Sequence, residues 1–426
     1  MIKINFNNIK FKKKDLLNHY SKKMGIDLNY FFKNSLWYSI NQITTIVFGI
    51  LLMVFLTRFT SKEVFGNYNF IISIITMLSI ISMPGFKVSL LKSVSKDEDG
   101  MYSETFKLSL IWSLTCVPLL IMIGLYYFYF DNPIIGIGLF VASIFFPLLY
   151  APTNWGPFLE GKKRFDLSAK YNIILTFTRT FTIIIATLAG NGNIIPILIA
   201  FLITNSILNI VFHFKTKKFI TNNKVEKNWK KNGYKLTFVE FTLFIYNYAD
   251  KIIIGAVLGS VQLAIYVIAT NVIYQIITST GQILRVIYPK IFKMNAELII
   301  HSLKRFVPKF ILAIAGLSLI IILILPILIP LLFSENYIES VFYAQIFAIV
   351  IPLNLLTSIT NPVLIALNKE DILFRFRIIG IIILLFLYII LIPFIGLLGA
   401  IISSIIYYAF LILLQFWYIF KKTEIQ

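Results

Sequence analysis

Three charged side chains stand where apolar sequence should exclude them: Arg179, Asp250 and Lys251. They interrupt runs of membrane-spanning length at 168–189 and 236–257. A charge at the bilayer centre costs ~2.5–3.5 kcal/mol on insertion scales, so such a group should face a protein interior or a wet cavity. Arg179 lies 11 residues into its run, which is about 16 Å deep at the helical rise. Its guanidinium offers a two-pronged fork to phosphate oxygens, so Arg179, supported by Lys251, could receive a concentrated anion such as a diphosphate. The competing reading is a salt bridge, for example from Arg179 to Asp250, that locks two helices. Asp250 and Lys251 are helix neighbours about 100° apart and are expected to pair poorly with each other. Asp250 is then either a structural partner for another helix or a cation- or proton-coupling carboxylate. Glu240 shares the coupling assignment, although near the end of its run it could equally be solvated.

Uncharged polar residues recur at helical spacing in the same kind of sequence. Asn34, Tyr38, Asn41 and Thr45 form one stripe, with Gln42 beside it. Glu240, Asn247 and Asp250 form a second, and Asn271, Gln275, Thr278 and Gln282 a third. Such stripes fit a cavity that hydrogen-bonds a sugar, and they also fit helix–helix hydrogen bonding. Lys87 and Arg285 each end a span at the basic interface. They read either as ordinary snorkelling side chains or as a collar that captures an anionic headgroup. Asn154, Trp155, Pro157 and Glu160, with Asn361 and Pro362, mark places where helices could flex.

Other chemistry is poorly provided for. The one cysteine, Cys116, and the scattered His19, His213 and His301 form no metal-ligand spacing, so no metal or cofactor is expected. There is no phosphate-binding G-x-x-x-x-G-K-[ST] loop. A membrane enzyme would need a positioned acid, base or nucleophile; between spans nine and ten only Glu335 and Glu339 offer one. No enzyme is therefore expected.

The elements that must position these residues are membrane helices. Of 426 residues, 58% are hydrophobic, and twelve stretches from residue 35 onward reach spanning length. Of the 39 Lys and Arg residues, 35 fall in the N-terminal tail, alternate connections and the C-terminal tail. The opposite face carries Arg58 and Lys62 alone. The positive-inside rule then puts both termini in the cytoplasm. The net charge of +20 is explained by topology and by anionic inner-leaflet lipids, without nucleic acid. The expected organisation is a cytoplasmic tail (1–34), a six-helix lobe (35–214), a polar linker (215–235), a second six-helix lobe (236–420) and a short cytoplasmic tail (421–426). Shifting the first half by 198 residues sets Phe65-Gly66-Asn67-Tyr68 on Leu263-Ala264-Ile265-Tyr266 and Lys87 on Arg285. Six spans per copy make this a parallel repeat, a layout associated with transporters.

Three segments then carry a resemblance. They are Leu56 to Tyr68 between spans one and two, Pro157-Phe158-Leu159-Glu160-Gly161-Lys162 after span four, and Tyr248-Ala249-Asp250-Lys251-Ile252-Ile253-Ile254-Gly255 followed by Leu258-Gly259 and Tyr266. In this order, with twelve spans and short loops, the chain resembles the multidrug/oligosaccharidyl-lipid/polysaccharide (MOP) flippases, and within them the Wzx-type O-antigen and capsule repeat-unit flippases. The resemblance implies an all-α polytopic protein of the bacterial inner membrane, with two six-helix lobes around a central cavity. It implies movement of undecaprenyl-diphosphate-linked oligosaccharide between leaflets by alternating access, with ion coupling. A polysaccharide polymerase and a chain-length regulator would be its partners. The alternative within the superfamily is a cation-coupled exporter of drugs or small molecules.

Overall fold

The computed structural model describes residues 28–284, 288–292, 294 and 296–422, and no strand occurs among them. Arg285 lies outside the described residues. Eleven helices among those described are long and apolar enough to cross a membrane. In the first half these include α1 (Leu28–Phe59), α2 (Lys62–Leu78), α4 (Met101–Phe130) and α5 (Pro133–Tyr150). A short α3 (Gly85–Val94) follows α2, and α6 (Trp155–Gly161) follows α5. The first half ends with α7 (Phe165–Ala189) and α8 (Ile194–Lys217). The second half holds α9 (Trp229–Val257), α10 (Ser260–Leu284), a single turn α11 (Tyr288–Ile291) and α12 (Ala296–Phe333). It closes with α13 (Glu339–Phe347), α14 (Val350–Ala366), α15 (Glu370–Ile395) and α16 (Leu397–Lys422). The eleven exclude α9, which is long enough at 29 residues but carries Lys230, Lys231, Lys235, Glu240, Asp250 and Lys251.

Local sequence explains where the helices start and stop. Ser61 caps α2 by accepting from the Val64 amide at 3.2 Å. Asn132 caps α5 in the same way, with Pro133 at the first helical position. Two runs expected to be continuous are broken, each beside a proline. The second span ends in a 3₁₀ turn, Ser79–Ser82, and then Met83 at φ 61° before Pro84. The tenth span divides into α13 and α14 at Ala348 and Ile349, because Pro352 has no N–H to donate to Ala348; the Ile351 amide takes that carbonyl instead, at 3.0 Å.

The packing repeats along the chain. In the first half α1 lies on α7, α5 on α8 and α7 on α8; in the second, α9 lies on α15, α14 on α16 and α15 on α16. The halves meet where α2 packs against both α9 and α10, and where α3 packs against α9. That approach is close enough to require glycine. A Cβ on Gly66 would sit 1.8 Å from the Ser260 carbonyl oxygen, and one on Gly85 would sit 2.0 Å from the Thr237 nitrogen. Asn67 takes a hydrogen bond from Ser260, and Phe65 meets Tyr337 edge-on at 6.2 Å. At the same end, Arg58 donates to the backbone carbonyls of Leu331 and Leu332, tying α1 to the C-terminal turn of α12.

The segment expected to be a linker is partly helical and firmly docked. Residues 229–235 belong to α9. Thr221 donates to the Asp99 carboxylate from both its amide and its hydroxyl at 2.8 Å. Lys162 pairs with Asp99 at 2.7 Å, and Ser93 donates to Glu226 at 2.8 Å. Trp229 packs edge-on against Phe86 of the first half. Burial raises the Asp99 carboxyl, but hydrogen bonds from Lys162 and Thr221 and the lysine's charge outweigh it, leaving the group below the usual carboxylate range.

Candidate functional site

One helix organises the candidate site. Successive turns of α10 line two different spaces. The first is a largely apolar cleft of about 400 Å³, where Asn271 and Gln275 meet Leu52 and Met53 of α1, Tyr68 of α2 and Leu332 of α12. The second is a polar chamber of about 540 Å³, reached by Tyr274, Thr278 and Gln282 of the same helix. Facing them are Tyr246 and Asn247 of α9, Asn354 and Asn361 of α14, Arg377 of α15, and Tyr407 and Tyr408 of α16. A third, smaller pocket of about 300 Å³ lies at the junction of the halves, between Lys87, Glu240, Asn247 and Tyr150. Asn247 lines both the chamber and this pocket.

The chamber wall is held rigid by its own hydroxyls. Asn354 donates to Tyr408 at 2.6 Å, Tyr408 donates to Tyr246 at 2.6 Å, and Tyr246 and Tyr274 share a hydrogen bond of 3.1 Å. The Tyr246 and Tyr407 rings stack at 5.3 Å. Gln415, donating at 3.1 Å, fixes the Asn361 amide oxygen. A fixed wall of this kind keeps its donors and rings aimed inward without further ordering on binding.

The structure sorts the residues expected from sequence into three groups. Lys87, Glu240 and Asn247 come together in the junction pocket, and Asn271 and Gln275 in the apolar cleft. Burial takes the Lys87 ammonium down to about 8, against the opposing pull of Glu240. Asn41 and Gln42 line none of these three spaces. The Asn41 carbonyl accepts from Thr45 at 2.9 Å, while its side-chain oxygen is buried without a partner.

Arg179 makes no salt bridge with Asp250, so that alternative falls. Among the described residues no carboxylate reaches Arg179, and its Nε is buried without a hydrogen bond. Its near neighbour is Tyr68, which lines the apolar cleft. Asp250 has other partners. It is buried, and accepts from Tyr266 at 2.8 Å, from the Lys251 amide at 2.8 Å and from Lys251 Nζ at 3.4 Å. The expectation that Asp250 and Lys251 would pair poorly is therefore corrected. The lysine stem folds back along the helix, so that Nζ also donates to the Asn247 carbonyl at 2.7 Å. This reach of the long side chain overcomes the angle between neighbouring Cβ atoms.

Asn154, Trp155 and Glu160 are structural ties. Asn154 donates to Thr105, Trp155 to Asn209 and Ser168 to Glu160, each at 3.1 Å. Arg377 is the residue that sequence reasoning missed. It was counted among the basic residues that mark the cytoplasmic face, yet it lies on the wall of the chamber. The available signal was its position, one helical turn beyond Leu373 and, with Arg375, inside the apolar run 373–394.

Comparison with known proteins agrees with the all-helical fold. Residues 31–295 match the family described as polysaccharide biosynthesis protein. No curated protein matches the sequence. Among solved structures, the fold is similar to an inward-facing multidrug resistance MATE family transporter of the MOP superfamily, at 12% identity and TM-score 0.64, covering 88% of this chain and 94% of that one. It is similar to the lipid II flippase MurJ in an inward closed conformation, at 14% identity and TM-score 0.60, covering 91% and 87%. A MOP superfamily transporter from Pyrococcus furiosus matches at 12% identity and TM-score 0.56, covering 91% and 95%. With more than half its length matched, the chain belongs to the polysaccharide biosynthesis protein family, and it is a multi-pass membrane protein whose fold is similar to that of MOP superfamily transporters.

Proposed function

We propose that this protein carries undecaprenyl-diphosphate-linked oligosaccharide repeat units from the cytoplasmic to the periplasmic leaflet of a bacterial inner membrane. Both termini lie in the cytoplasm, and the two six-helix halves alternate access to the space between them. The observation that carries this reading is the pairing of an apolar cleft with a polar chamber on consecutive turns of α10. An amphiphile with a lipid tail and a glycan head needs both surfaces side by side. A soluble small molecule needs only one. Lys87 at the junction pocket and Arg179 beside the cleft supply positive charge for the diphosphate. The hydrogen bonds of Arg58, Asn67 and Ser260 close one end of the interface between the halves. In this topology that end is periplasmic, so the structure corresponds to a state closed to the periplasm. Asp250, held by Tyr266 and Lys251, serves as a structural pair in this scheme.

The test is transport by purified protein in proteoliposomes. A fluorescent undecaprenyl-diphosphate oligosaccharide should become accessible on the far leaflet only when the protein is present. Saturable efflux of cationic drugs, with no movement of the glycolipid, would refute the proposal. Arg179→Ala should still insert in the membrane but should lose glycolipid movement.

A further inference from the structure

The chamber in the second half combines three features that point to a narrower ligand class. Among the described residues its wall holds one cation, Arg377, and no carboxylate. Arg377 forms no hydrogen bond or ion pair among the described residues, although it is only half-buried and open to the chamber. Glu370 and Asp371 share a separate groove with Arg377 but stand outside ion-pair distance of it. The side-chain amides of Asn247 and Gln282 likewise have no hydrogen-bond partner among the described residues, and neither is sealed away from the cavity. Donors left free on a rigid wall are donors for a ligand. The stacked faces of Tyr246 and Tyr407 add flat apolar surface of the kind on which the C–H face of a sugar ring rests.

We infer that Arg377 and the tyrosine-walled chamber form a saccharide site that selects substrates carrying an oxyanion. A cation would find no carboxylate here. A neutral glycan would use the amides and rings but would leave the guanidinium unsatisfied. An oxyanion completes the set, because arginine binds carboxylate or phosphate through two parallel hydrogen bonds. The oxyanion could be the carboxylate of an acidic sugar or the diphosphate of the carrier lipid. This inference rests on the flippase reading and adds to it the charge of the head group and the residue that reads it.

The experiment compares three synthetic probes on full-length protein in nanodiscs. The first is an undecaprenyl-diphosphate trisaccharide ending in glucuronic acid, the second its neutral glucose counterpart, and the third the free acidic trisaccharide without lipid. Binding is measured to the native protein and to the Arg377→Gln, Arg377→Lys and Tyr407→Ala variants, with thermal unfolding to confirm that each is folded. A charge-assisted pair lost at Arg377 should weaken binding about ten- to a hundred-fold. If Arg377→Gln weakens only the two acidic-sugar probes, the oxyanion is the sugar carboxylate. If it weakens both diphosphate probes equally and spares the free trisaccharide, the oxyanion is the diphosphate. Arg377→Lys should recover only part of the loss, because it keeps the charge without the fork. Tyr407→Ala should weaken all three probes. Unchanged binding of every probe by folded Arg377→Gln would overturn the inference and leave the flippase reading standing. Failure of the native protein to bind either lipid-linked probe would overturn both.

Discussion

Asp250 is the carboxylate on which the coupling question turns, and its surroundings predict what its removal does. In Asp250→Ala the Tyr266 hydroxyl, which is fully buried, loses the acceptor it donates to at 2.8 Å. Lys251 loses its ion-pair partner but keeps the Asn247 carbonyl at 2.7 Å, and 13% of its side chain remains exposed. Breaking a buried pair costs ~3–5 kcal/mol, and the retained contact places the loss at the lower end, about 3 kcal/mol. Tyr266→Phe removes the donor alone, which for a hydrogen bond to a charged group is worth ~1.5–3 kcal/mol. The double variant should then be less destabilised than the sum of the two by about 1.5 kcal/mol. Equilibrium unfolding in mixed micelles of SDS and mild detergent measures all four corners of the cycle. Asp250→Asn, whose amide oxygen still accepts from Tyr266, should retain most of the transport rate. Additive losses, or Asp250→Ala with native stability, would refute the structural account. A fully stable but transport-dead Asp250→Asn would return the residue to ion coupling.

Three further outcomes are expected. Arg58→Ala should release α1 from α12, so that Asn271→Cys, in a background with Cys116 replaced by Ala, is labelled several-fold faster by an impermeant thiol reagent from the side that bears Lys62; an unchanged labelling rate would count against a seal there. Because burial holds Lys87 at about 8, diphosphate-lipid binding should weaken as pH rises through that value, and Lys87→Gln should flatten this limb of the profile. Asp99 has a lowered folded-state pKa, so its contribution to stability is fully present above the unfolded value of about 4 and is lost as pH falls below it. Limited proteolysis of the segment 218–228 should accelerate over that acidic range in the native protein, and in Asp99→Asn it should be fast already at neutral pH.

The helices were readable because lipid imposes one rule, that every backbone group be satisfied within the segment, and long apolar runs meet it in only one way. The breaks were harder to see. Pro84 and Pro352 were visible, but a proline in a membrane helix is compatible with either a kink or a stop, and the neighbouring helices decide which. The polar stripes divided the same way. Asn271 and Gln275 point into a cleft and Asn247 into two cavities, but Asn41, with the same spacing, lines none. Spacing assigns a residue to a face of its helix. What that face meets depends on α7, α9 and α12, which are distant in sequence.

Arg377 shows why the charge pattern conceals as much as it reveals. Alternate connections rich in lysine and arginine orient a membrane chain, and most of these side chains need do nothing else. The sorting rule acts within about 15–20 residues of a helix end, and this margin overlaps the first turns of the helix itself. A cation placed there for function adds to the same count and leaves no separate trace. Lys87 and Arg377 both fall in that margin, and both turn inward, one to the junction pocket and the other to the chamber. Lys162, equally close to a helix end, is instead consumed by Asp99 in a tie between loops. The difference lies in the partner: a cation whose carboxylate is already in place holds the fold, and one facing an open wall without a carboxylate is available to a ligand. Arg377 meets that second condition on the chamber wall, whereas Arg179 has no carboxylate within reach but lines none of the three spaces, so Arg377 rather than Arg179 is the guanidinium that faces a described cavity.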